Sequence, residues 1–490
     1  MQKKNWIVLA ILSIGIIFQS CSEDGGIEGV DDDLQQEVNL PDDLPSSLAR
    51  IRGGRPGGGG NQGGGTLIND LDYDILNSWT KLFYELDRYA GGMRPNATAR
   101  AIAYVYLTAY ETAAPGMRRY RSNSQRLNGL NTGLPDREDR VQYELAINSA
   151  LAVAIDHFMF TLDTGKRSQI QALRVQNESY LAQSLRTEEI EASKEWGESV
   201  AGLIIEYSQT DQEAEQQILE PQPASYEPPT GDGYWTYSAT PERALFPYWK
   251  SVRTFVIAPE QTTTVAPIEY SNATETPYFD QMLDVYEANN DAKAEQGEQL
   301  HIAEFWSDDV EGLMMSPPMR QVSILNQLIE QNELDLQEAL LVHLKLGFSL
   351  NDAAVSTWKY KYDYMVMRPS NFIQEFIDPT FQTNLYRLIY WPNPSFPGYP
   401  SGHSCFASAA AGVFISFFGN KVNFTDRTHE GRSEFLGEPR SFNSLRQMAR
   451  ENGYSRVPLG VHIEIDCTEG LRLGYEISRA VNNVDLKRSI

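Results

Sequence analysis

The chain has few of the residues that form disulfide bonds or bind structural metal ions in small folds, with 3 cysteines and 6 histidines among 490 residues. So few cysteines exclude a disulfide scaffold and an array of zinc fingers. Positive charge is also scarce, because 41 lysines and arginines face 66 aspartates and glutamates, for a net charge of −25. This balance argues against a protein that binds nucleic acid along its surface, but it does not exclude a local basic pocket. A chain of this length predicts two or three domains, or one large one, with a substantial core.

Long apolar runs are missing after the N-terminus, so the sequence predicts no membrane-spanning helix in the body. At the N-terminus, Lys3 and Lys4 precede the apolar run 6–18, which is typical of a signal peptide. Ser20 directly before Cys21 resembles the lipobox of bacterial lipoproteins, in which the cysteine carries the lipid anchor. Ordinary secretion with cleavage nearby is the alternative. Both interpretations predict export, and the first predicts a membrane-anchored lipoprotein in the periplasm or at the cell surface.

An acidic stretch follows Cys21, and residues 53–65 are mostly glycine. Such a composition cannot bury enough apolar surface to offset its ordering entropy, so we predict a flexible tether. The predicted organisation is a signal peptide over 1–20, a lipidated tether over 21–66, an N-terminal helical region over 67–275 and a C-terminal helical catalytic region over 276–490.

From Leu67 onward, apolar residues recur every three or four positions, which predicts a mainly α protein packed as helical bundles. Residues 220–276 lack this periodicity and predict a long irregular connection. Asn351 and Asp352 are predicted to cap a helix. The helices predicted around the motifs below cover 334–350, 353–362, 381–390, 401–418, 441–451 and 458–481.

Lys361 and Arg368 form the first of three segments that carry chemistry. Residues seven apart lie on nearly the same face of a helix, so both cations are predicted to point at one spot. Pro369 is expected to end that helix. Alone, such a pair is more typical of a solvated surface.

The second segment is Pro400-Ser401-Gly402-His403, a turn that runs into a helix of small residues. Helix N-termini present free N–H groups that bind oxyanions. Gly402 permits close backbone approach, Ser401 adds a hydroxyl, and His403 can exchange a proton with a bound group. A plain helix cap with an incidental histidine is the alternative.

The third segment contains Arg456, His462 and Asp466. Because Val457 precedes Pro458, Val457 is predicted to be extended, so that Arg456 lies in the approach to the helix. His462 and Asp466, four apart, are predicted to share a helix face. The carboxylate can then fix the imidazole tautomer and leave the other nitrogen free as a ligand or nucleophile. A surface His–Asp pair is the alternative.

Taken together, the segments predict a site for a tetrahedral oxyanion, either phosphate or vanadate. Their pattern is Lys-x6-Arg-Pro, Pro-Ser-Gly-His and Ser-Arg-x5-His-x3-Asp. It resembles the signature of the superfamily that contains type 2 phosphatidic acid phosphatases, bacterial class A acid phosphatases and vanadium-dependent haloperoxidases. The resemblance implies that an oxyanion is held by Lys361, Arg368, Ser401, Gly402 and Arg456, with His403 as acid–base group, His462 as axial ligand and Asp466 as its orienting partner.

Several features are more similar to the haloperoxidases than to the phosphatases. They are the long helical body, the segments 95–101 and 302–308, and the aromatic residues Trp358 and Phe396. The resemblance implies two four-helix-bundle-like halves and a vanadate cofactor bound through His462. It also implies hydrogen peroxide and halide as substrates, iodide or bromide above all, with hypohalous acid as product. An exported acid phosphatase that uses His462 as phosphoryl acceptor is the alternative.

Two smaller expectations concern residues beside these motifs. Cys405 and Cys467 are predicted to be separate buried thiols, with a disulfide as the alternative. Asp308 or Asp309 is expected to support one of the arginines.

Overall fold

Helices make up most of the chain that the structure describes. The structure is a computed structural model, and it describes residues 68, 71, 73–124, 126–127, 130, 140–211, 213–387 and 393–488. The predicted signal peptide, the tether and Cys21 lie outside the described residues. These described residues all belong to one compact unit, and the predicted boundary between residues 275 and 276 stays a prediction.

The helices before the oxyanion motifs come in chain order. They are α1 (Asp74–Asp87), α2 (Asn96–Ala113), α3 (Tyr143–Phe158), α4 (Thr164–Leu181), α5 (Thr187–Gln209), α6 (Ala214–Leu219), α7 (Pro277–Glu295), α8 (Glu298–Phe305) and α9 (Pro317–Asn332).

The remaining elements carry or surround the motifs. They are α10 (Leu336–Tyr364), α11 (Pro369–Phe376), α12 (Gly402–Phe418), β1 (Phe424–Asp426), β2 (Arg440–Phe442), α13 (Leu445–Tyr454), α14 (Arg456–Leu459) and α15 (Glu464–Asn482). The two strands pair antiparallel, with Thr425 opposite Ser441.

Two helices at the centre of the body, α2 and α10, cross closely. All 18 residues of α2 are buried, as are most of the 29 residues of α10. A Cβ atom added at Gly347 would lie only 2.8 Å from the Cα atom of Ala103. Glycine and alanine therefore allow the backbones to touch, which joins the N-terminal helices to the helix that carries Lys361.

A second close contact, between α12 and α15, brings two motifs together. A Cβ atom at Gly470 would lie 2.4 Å from the carbonyl oxygen of Ser401, and one at Gly474 would lie 2.3 Å from that of Cys405. Any larger residue at these glycines would push the helices apart. The first turn of α12 is thereby pressed against the first turns of α15.

The prediction of a mainly α, bundled protein is confirmed, but several boundaries differ. The predicted helix 381–390 contains a 3₁₀ turn at Asn384–Arg387, and residues 388–392 lie outside the described part. The predicted helix 458–481 is instead two helices, α14 and α15, separated at Gly460, whose φ is +92°. Residues 220–276 are irregular, as expected. In the described ranges, none of the helices has the length and apolar character needed to cross a bilayer.

Asp352 does not cap a helix, because α10 continues through it without a break. Its fully buried carboxylate instead accepts backbone N–H groups of the irregular connection, from Phe255 at 2.7 Å, Val256 at 2.8 Å and Ile257 at 3.0 Å. Burial raises the pKa of this carboxyl to about 6. The Asp352 side chain therefore attaches the irregular connection over residues 220–276 to α10.

Replacing Asp352 by asparagine should weaken this attachment. The amide has a single accepting oxygen, so at least one of the three buried N–H groups loses its partner. We expect Asp352→Asn to lower the free energy of unfolding by about 1–3 kcal/mol, measured by denaturant titration at pH 7.5. The exposed Asp291→Asn is the matched control and should change stability by less than about 0.5 kcal/mol. Equal stability of both variants would contradict the assigned role of Asp352.

Candidate oxyanion site

Lys361 and Arg368 meet across a tight turn between two helices. Helix α10 ends at Tyr364, and Met365 then takes a left-handed φ of 52°. Arg368 directly precedes α11, and Pro369 is the first residue of that helix rather than the end of the previous one. The prediction of a shared helix face was therefore wrong, although the two cations do converge.

The ammonium group of Lys361 is fully buried and bound to the backbone. It donates to the carbonyl oxygens of Pro397 at 2.9 Å and Gly398 at 2.8 Å. An ammonium carries three hydrogens, so one remains for an oxyanion. Burial and the positive charge of Arg368 lower the pKa of Lys361 well below its usual value, and the charge of Asp466 opposes them.

Arg368 is held in the same way, by carbonyl groups. Its Nε atom donates to the carbonyl of Phe396 at 2.8 Å, and Nη1 donates to that of Val461 at 2.9 Å. The Nη2 atom is buried and has no hydrogen-bond partner. Burial lowers the pKa of this guanidinium to about 10. Arg368 thus presents an unused donor to the site.

The N-terminus of α12 supplies further donors. Ser401 caps the helix, because its Oγ atom accepts from the backbone N–H of Ser404 at 3.3 Å and from its hydroxyl at 2.9 Å. The hydroxyl hydrogen of Ser401 is left free to donate. The next two residues, Gly402 and His403, stand in the first helical turn, where N–H groups lack intrahelical partners.

Aromatic rings form one wall beside this helix start. The rings of Trp358 and Phe396 lie 4.8 Å apart between centroids, and the Nζ atom of Lys361 lies 5.2 Å from the centre of the Phe396 ring. A Cβ atom at Gly402 would come within 3.2 Å of Trp358. Glycine therefore leaves the space between the helix start and the indole open.

Arg456 reaches the site from α14. It is the first helical residue there and Val457 is the second, so the extended conformation expected of Val457 before Pro458 was wrong. Its Nη2 atom donates to the carbonyl of Trp306 at 2.6 Å, and Nη1 donates to the carbonyl of Ser307 at 3.3 Å and to Oδ2 of Asp309 at 2.8 Å. Asp309 therefore supports an arginine, as expected for one of the two aspartates.

His462 lies between α14 and α15, not on one helix with Asp466 as expected, but the side chains meet because Asp466 is in the first turn of α15. The Nδ1 atom of His462 lies 2.9 Å from Oδ2 of Asp466, and its Nε2 atom lies 3.1 Å from Nη1 of Arg368. An arginine can only donate, so Nε2 carries the lone pair and Nδ1 the proton. Burial, followed by the charge of Arg368, lowers the pKa of His462, and burial raises that of Asp466 to about 7.

The second imidazole, His403, is also buried and neutral. Burial and the charges of Arg456 and Arg320 lower its pKa well below the usual value. Its Nδ1 atom lies 3.4 Å from Nη1 of Arg456. A neutral imidazole in this place can accept a proton from a bound group.

These side chains surround a cavity of about 320 Å³. Many of the residues singled out in the sequence line it, namely Asp308, Asp309, Trp358, Arg368, Phe396, Gly402, His403, Arg456 and His462. Lys361, Ser401 and Asp466 are not part of this lining, although Asp466 is hydrogen-bonded to His462, which is. Arg94, Pro221 and Leu245 also line the cavity, and sequence reasoning missed them because no spacing links them to the motifs.

The residues present fit a bound oxyanion. Three buried cations converge with an unpartnered Arg368 Nη2 donor and an open space at Gly402. One imidazole nitrogen, Nε2 of His462, carries a lone pair suited to a metal. This donor set matches vanadate bound through one histidine, and it also matches phosphate.

Both cysteines in the described residues, Cys405 and Cys467, are free and buried. Burial raises the pKa of both thiols to about 12. The prediction of two separate thiols is confirmed.

The structure thus defines a helical protein with a cationic cavity, and comparison with known proteins identifies the family that it resembles. Residues 342–487 match the family model described as the VCPO second helical-bundle domain. That range contains all three motif segments. The resemblance to vanadium haloperoxidases drawn from the motifs is therefore confirmed.

Comparisons with individual proteins also find vanadium-dependent haloperoxidases. The vanadium chloroperoxidase of Curvularia inaequalis is 22% identical over 275 residues, which are 45% of this chain and 45% of that protein. The matched region thus spans less than half of this relative. A crystal structure described as the first bacterial vanadium-dependent iodoperoxidase shares 24% identity at a TM-score of 0.74, over 84% of this chain and 97% of the other.

A holo-type bacterial vanadium-dependent chloroperoxidase is 15% identical at a TM-score of 0.60, over 80% of this chain and 92% of the other. At such identities the solved structures show a shared fold.

The His462–Asp466 pair generates a prediction about anion affinity. In Asp466→Asn, the amide can turn its NH₂ group toward Nδ1, which moves the imidazole proton to Nε2 and blocks the lone pair. We expect orthovanadate affinity, measured by isothermal titration calorimetry, to fall about 10–100-fold. Glu464→Gln, an exposed change two residues earlier, is the control and should leave the affinity unchanged. Unaltered orthovanadate affinity in Asp466→Asn would contradict the role of Asp466 in orienting His462 for anion binding.

Proposed function

We propose that the protein is a vanadium-dependent haloperoxidase that uses hydrogen peroxide to oxidise iodide or bromide to hypohalous acid. The observation that carries this proposal is the orientation and protonation of the His462 imidazole. Its Nδ1 atom is fixed by Asp466, its Nε2 atom lies 3.1 Å from Nη1 of Arg368, and the charges of Arg368, Lys361 and Arg456 all act on the imidazole. The similarity of the fold to vanadium haloperoxidases supports the same conclusion.

Vanadate would be held through Nε2 of His462, with its oxygens on Lys361, Arg368, Arg456 and the N-terminus of α12. When bound, it supplies a Lewis acid that activates hydrogen peroxide toward the halide without changing its own oxidation state. The cations neutralise the oxyanion charge, and because they are buried and already positioned, they need little reorganisation.

His403 and Lys361 carry the chemistry of the chain itself. His403 is neutral at physiological pH because burial lowers its pKa, so it can accept a proton from hydrogen peroxide and later return it to the departing oxygen. The remaining N–H of Lys361 can polarise the oxygen that the halide attacks.

The apolar wall fits a weakly hydrated halide. Trp358, Phe396 and Leu245 line the same cavity as the cations. An anion that enters between these rings and the guanidinium groups loses water at modest cost when it is as large as bromide or iodide. We therefore place the halide beside Phe396, whose ring also lies 4.7 Å from the Arg368 guanidinium carbon.

We further propose that the enzyme is exported and held at a membrane by lipid on Cys21, as the N-terminal sequence indicates. A periplasmic or cell-surface position would release the reactive product outside the cytoplasm.

Vanadate titration separates this proposal from an acid phosphatase in which Nε2 of His462 attacks phosphate. The purified protein, prepared without phosphate, is titrated with orthovanadate while two reactions are followed on one sample, namely peroxide-dependent oxidation of iodide and bromide and hydrolysis of a phosphomonoester. We expect halide oxidation to rise with vanadate and saturate, because vanadate is a cofactor here and a transition-state mimic in a phosphatase.

His462→Ala should abolish halide oxidation at every vanadate concentration, whereas His157→Ala, a histidine change far along the chain, should leave it intact. Hydrolysis that vanadate inhibits, with no halide oxidation, would make the protein a phosphatase. An undiminished rate in His462→Ala would reject the site assignment itself.

A further inference from the structure

A group of buried charges lies next to His403, and one of its members, Asp308, lines the cavity together with that histidine. Arg320 of α9 is flanked by Asp308 and by Asp426 of β1, and all three side chains are fully buried. His429 joins them at 2% exposure. None of these residues belongs to the motifs, and buried charges require partners to be tolerated.

Arg320 uses its guanidinium to fix both carboxylates. Its Nε and Nη2 atoms donate to Oδ2 of Asp426 at 3.2 and 2.9 Å, and its Nη1 atom donates to Oδ1 of Asp308 at 3.2 Å. Nη1 also donates to Nε2 of His429, which burial and Arg320 keep neutral by lowering its pKa. The guanidinium carbon lies 4.8 Å from the Trp306 ring.

The other oxygen of Asp308 faces the catalytic imidazole. Oδ2 of Asp308 lies 3.8 Å from Nε2 of His403, and both atoms are buried without a hydrogen-bond partner. Asp308 also has a left-handed φ of 50°, which is uncommon outside glycine and is concentrated at functional sites. Two unsatisfied atoms that face each other indicate a hydrogen bond that a small shift completes.

Each nitrogen of His403 has its own candidate acceptor for the imidazole proton. Nη1 of Arg456 lies 3.4 Å from Nδ1, but its two hydrogens already reach the Ser307 carbonyl at 3.3 Å and Oδ2 of Asp309 at 2.8 Å, so this contact does not decide whether Nδ1 is protonated. The carbonyl of Trp306 is the competing acceptor for the imidazole proton, and it is shared with Nη2 of Arg456, which donates to it at 2.6 Å. Oδ2 of Asp308 can only accept, belongs to a charged group and has no other hydrogen-bond partner, so it favours the proton on Nε2 of His403.

We propose that Arg320 and Asp426 form a positioning pair that sets the tautomer of His403 through Asp308. Arg320 occupies Oδ1, so Oδ2 is left to accept the Nε2 proton, and the Nδ1 lone pair is kept on the side of Arg456. The two imidazoles of the site then carry their protons on different nitrogens. Asp466 holds the proton on Nδ1 of His462, and Asp308 holds it on Nε2 of His403. The benefit of this arrangement for catalysis rests on the proposed function, whereas the inferred tautomer of His403 is independent of that function.

Asp308→Asn tests the pair directly. Asparagine tolerates the left-handed backbone and keeps the shape, but Arg320 needs an acceptor and should select the amide oxygen. The NH₂ group then faces His403 and forces the proton from Nε2 to Nδ1. We expect ¹⁵N NMR of histidine-labelled protein to show the Nε2–H form in the wild type and the Nδ1–H form in the variant. Only 6 histidines are present, and His403→Gln identifies the resonance.

Arg320→Lys tests whether Arg320 is the residue that determines the tautomer of His403. An ammonium cannot bridge Asp308 and Asp426 with a planar fork, so the preference for Nε2–H should weaken to a mixture of tautomers. Arg100→Lys is the matched control, because Arg100 and Asp211 are another buried pair, with an Nε–Oδ2 distance of 2.9 Å. It should reduce stability in a similar way and leave the His403 signal unchanged.

The NMR measurement uses protein with inorganic phosphate and no vanadate, so its result does not depend on peroxidase activity. A wild-type Nδ1–H tautomer would overturn the proposal, as would an unchanged Nε2–H signal in folded Asp308→Asn. If Arg320→Lys does not fold, the Asp308→Asn result alone decides. In an active enzyme, Asp308→Asn should also lower kcat by about 100-fold, while failure of the wild type to oxidise halide would count against the function and not against the tautomer.

Discussion

Three cationic side chains are buried at one place, and most of their hydrogen bonds go to backbone carbonyls rather than to carboxylates. Lys361 and Arg368 together donate to four carbonyl oxygens. Carbonyl dipoles orient a cation but do not neutralise it, and an uncompensated buried charge is costly. Asp309 and Asp466 supply part of the opposing charge, and an anion that binds here would add to it, so it should stabilise the folded chain.

The rest of the architecture delivers these charges to the ends of helices. Lys361 lies in the last turn of α10, Arg368 precedes α11, and Arg456 opens α14. Ends of helices leave backbone groups free, so the start of α12 supplies N–H groups to the site. Most of the carbonyls that hold Lys361 and Arg368 come instead from the irregular segment before α12, namely from Phe396, Pro397 and Gly398. The close packing of α12 on α15, permitted by Gly470 and Gly474, sets the distance between the two imidazole-bearing segments.

The sequence predicted the helical class and the set of residues that meet, but not always the route by which they meet. Lys361 and Arg368 converge across a turn, because Pro369 starts a helix more easily than it ends one. His462 reaches Asp466 although it stands outside the helix, since a residue in the first turn of α15 lies close to the chain that leads into it. Val457 is helical because the turn closes at Gly460, a local effect that the bias of a residue before proline does not capture.

Other features could not be read from spacing at all. Asp352 bonds residues that lie 95–97 positions earlier, and Arg320 meets Asp426 over 106 positions. Such contacts depend on how complete helices pack, and a single sequence carries no periodic signal for them. The wall that Arg94, Pro221 and Leu245 add to the cavity belongs to the same category.

The most direct test of the account is a crystal structure of the protein soaked with orthovanadate in a phosphate-free solution. The account predicts one vanadium atom at bonding distance from Nε2 of His462, with its oxygens on Lys361, Arg368 and Arg456. Vanadium bound elsewhere, or an ordered pocket that stays empty at saturating vanadate, would contradict it.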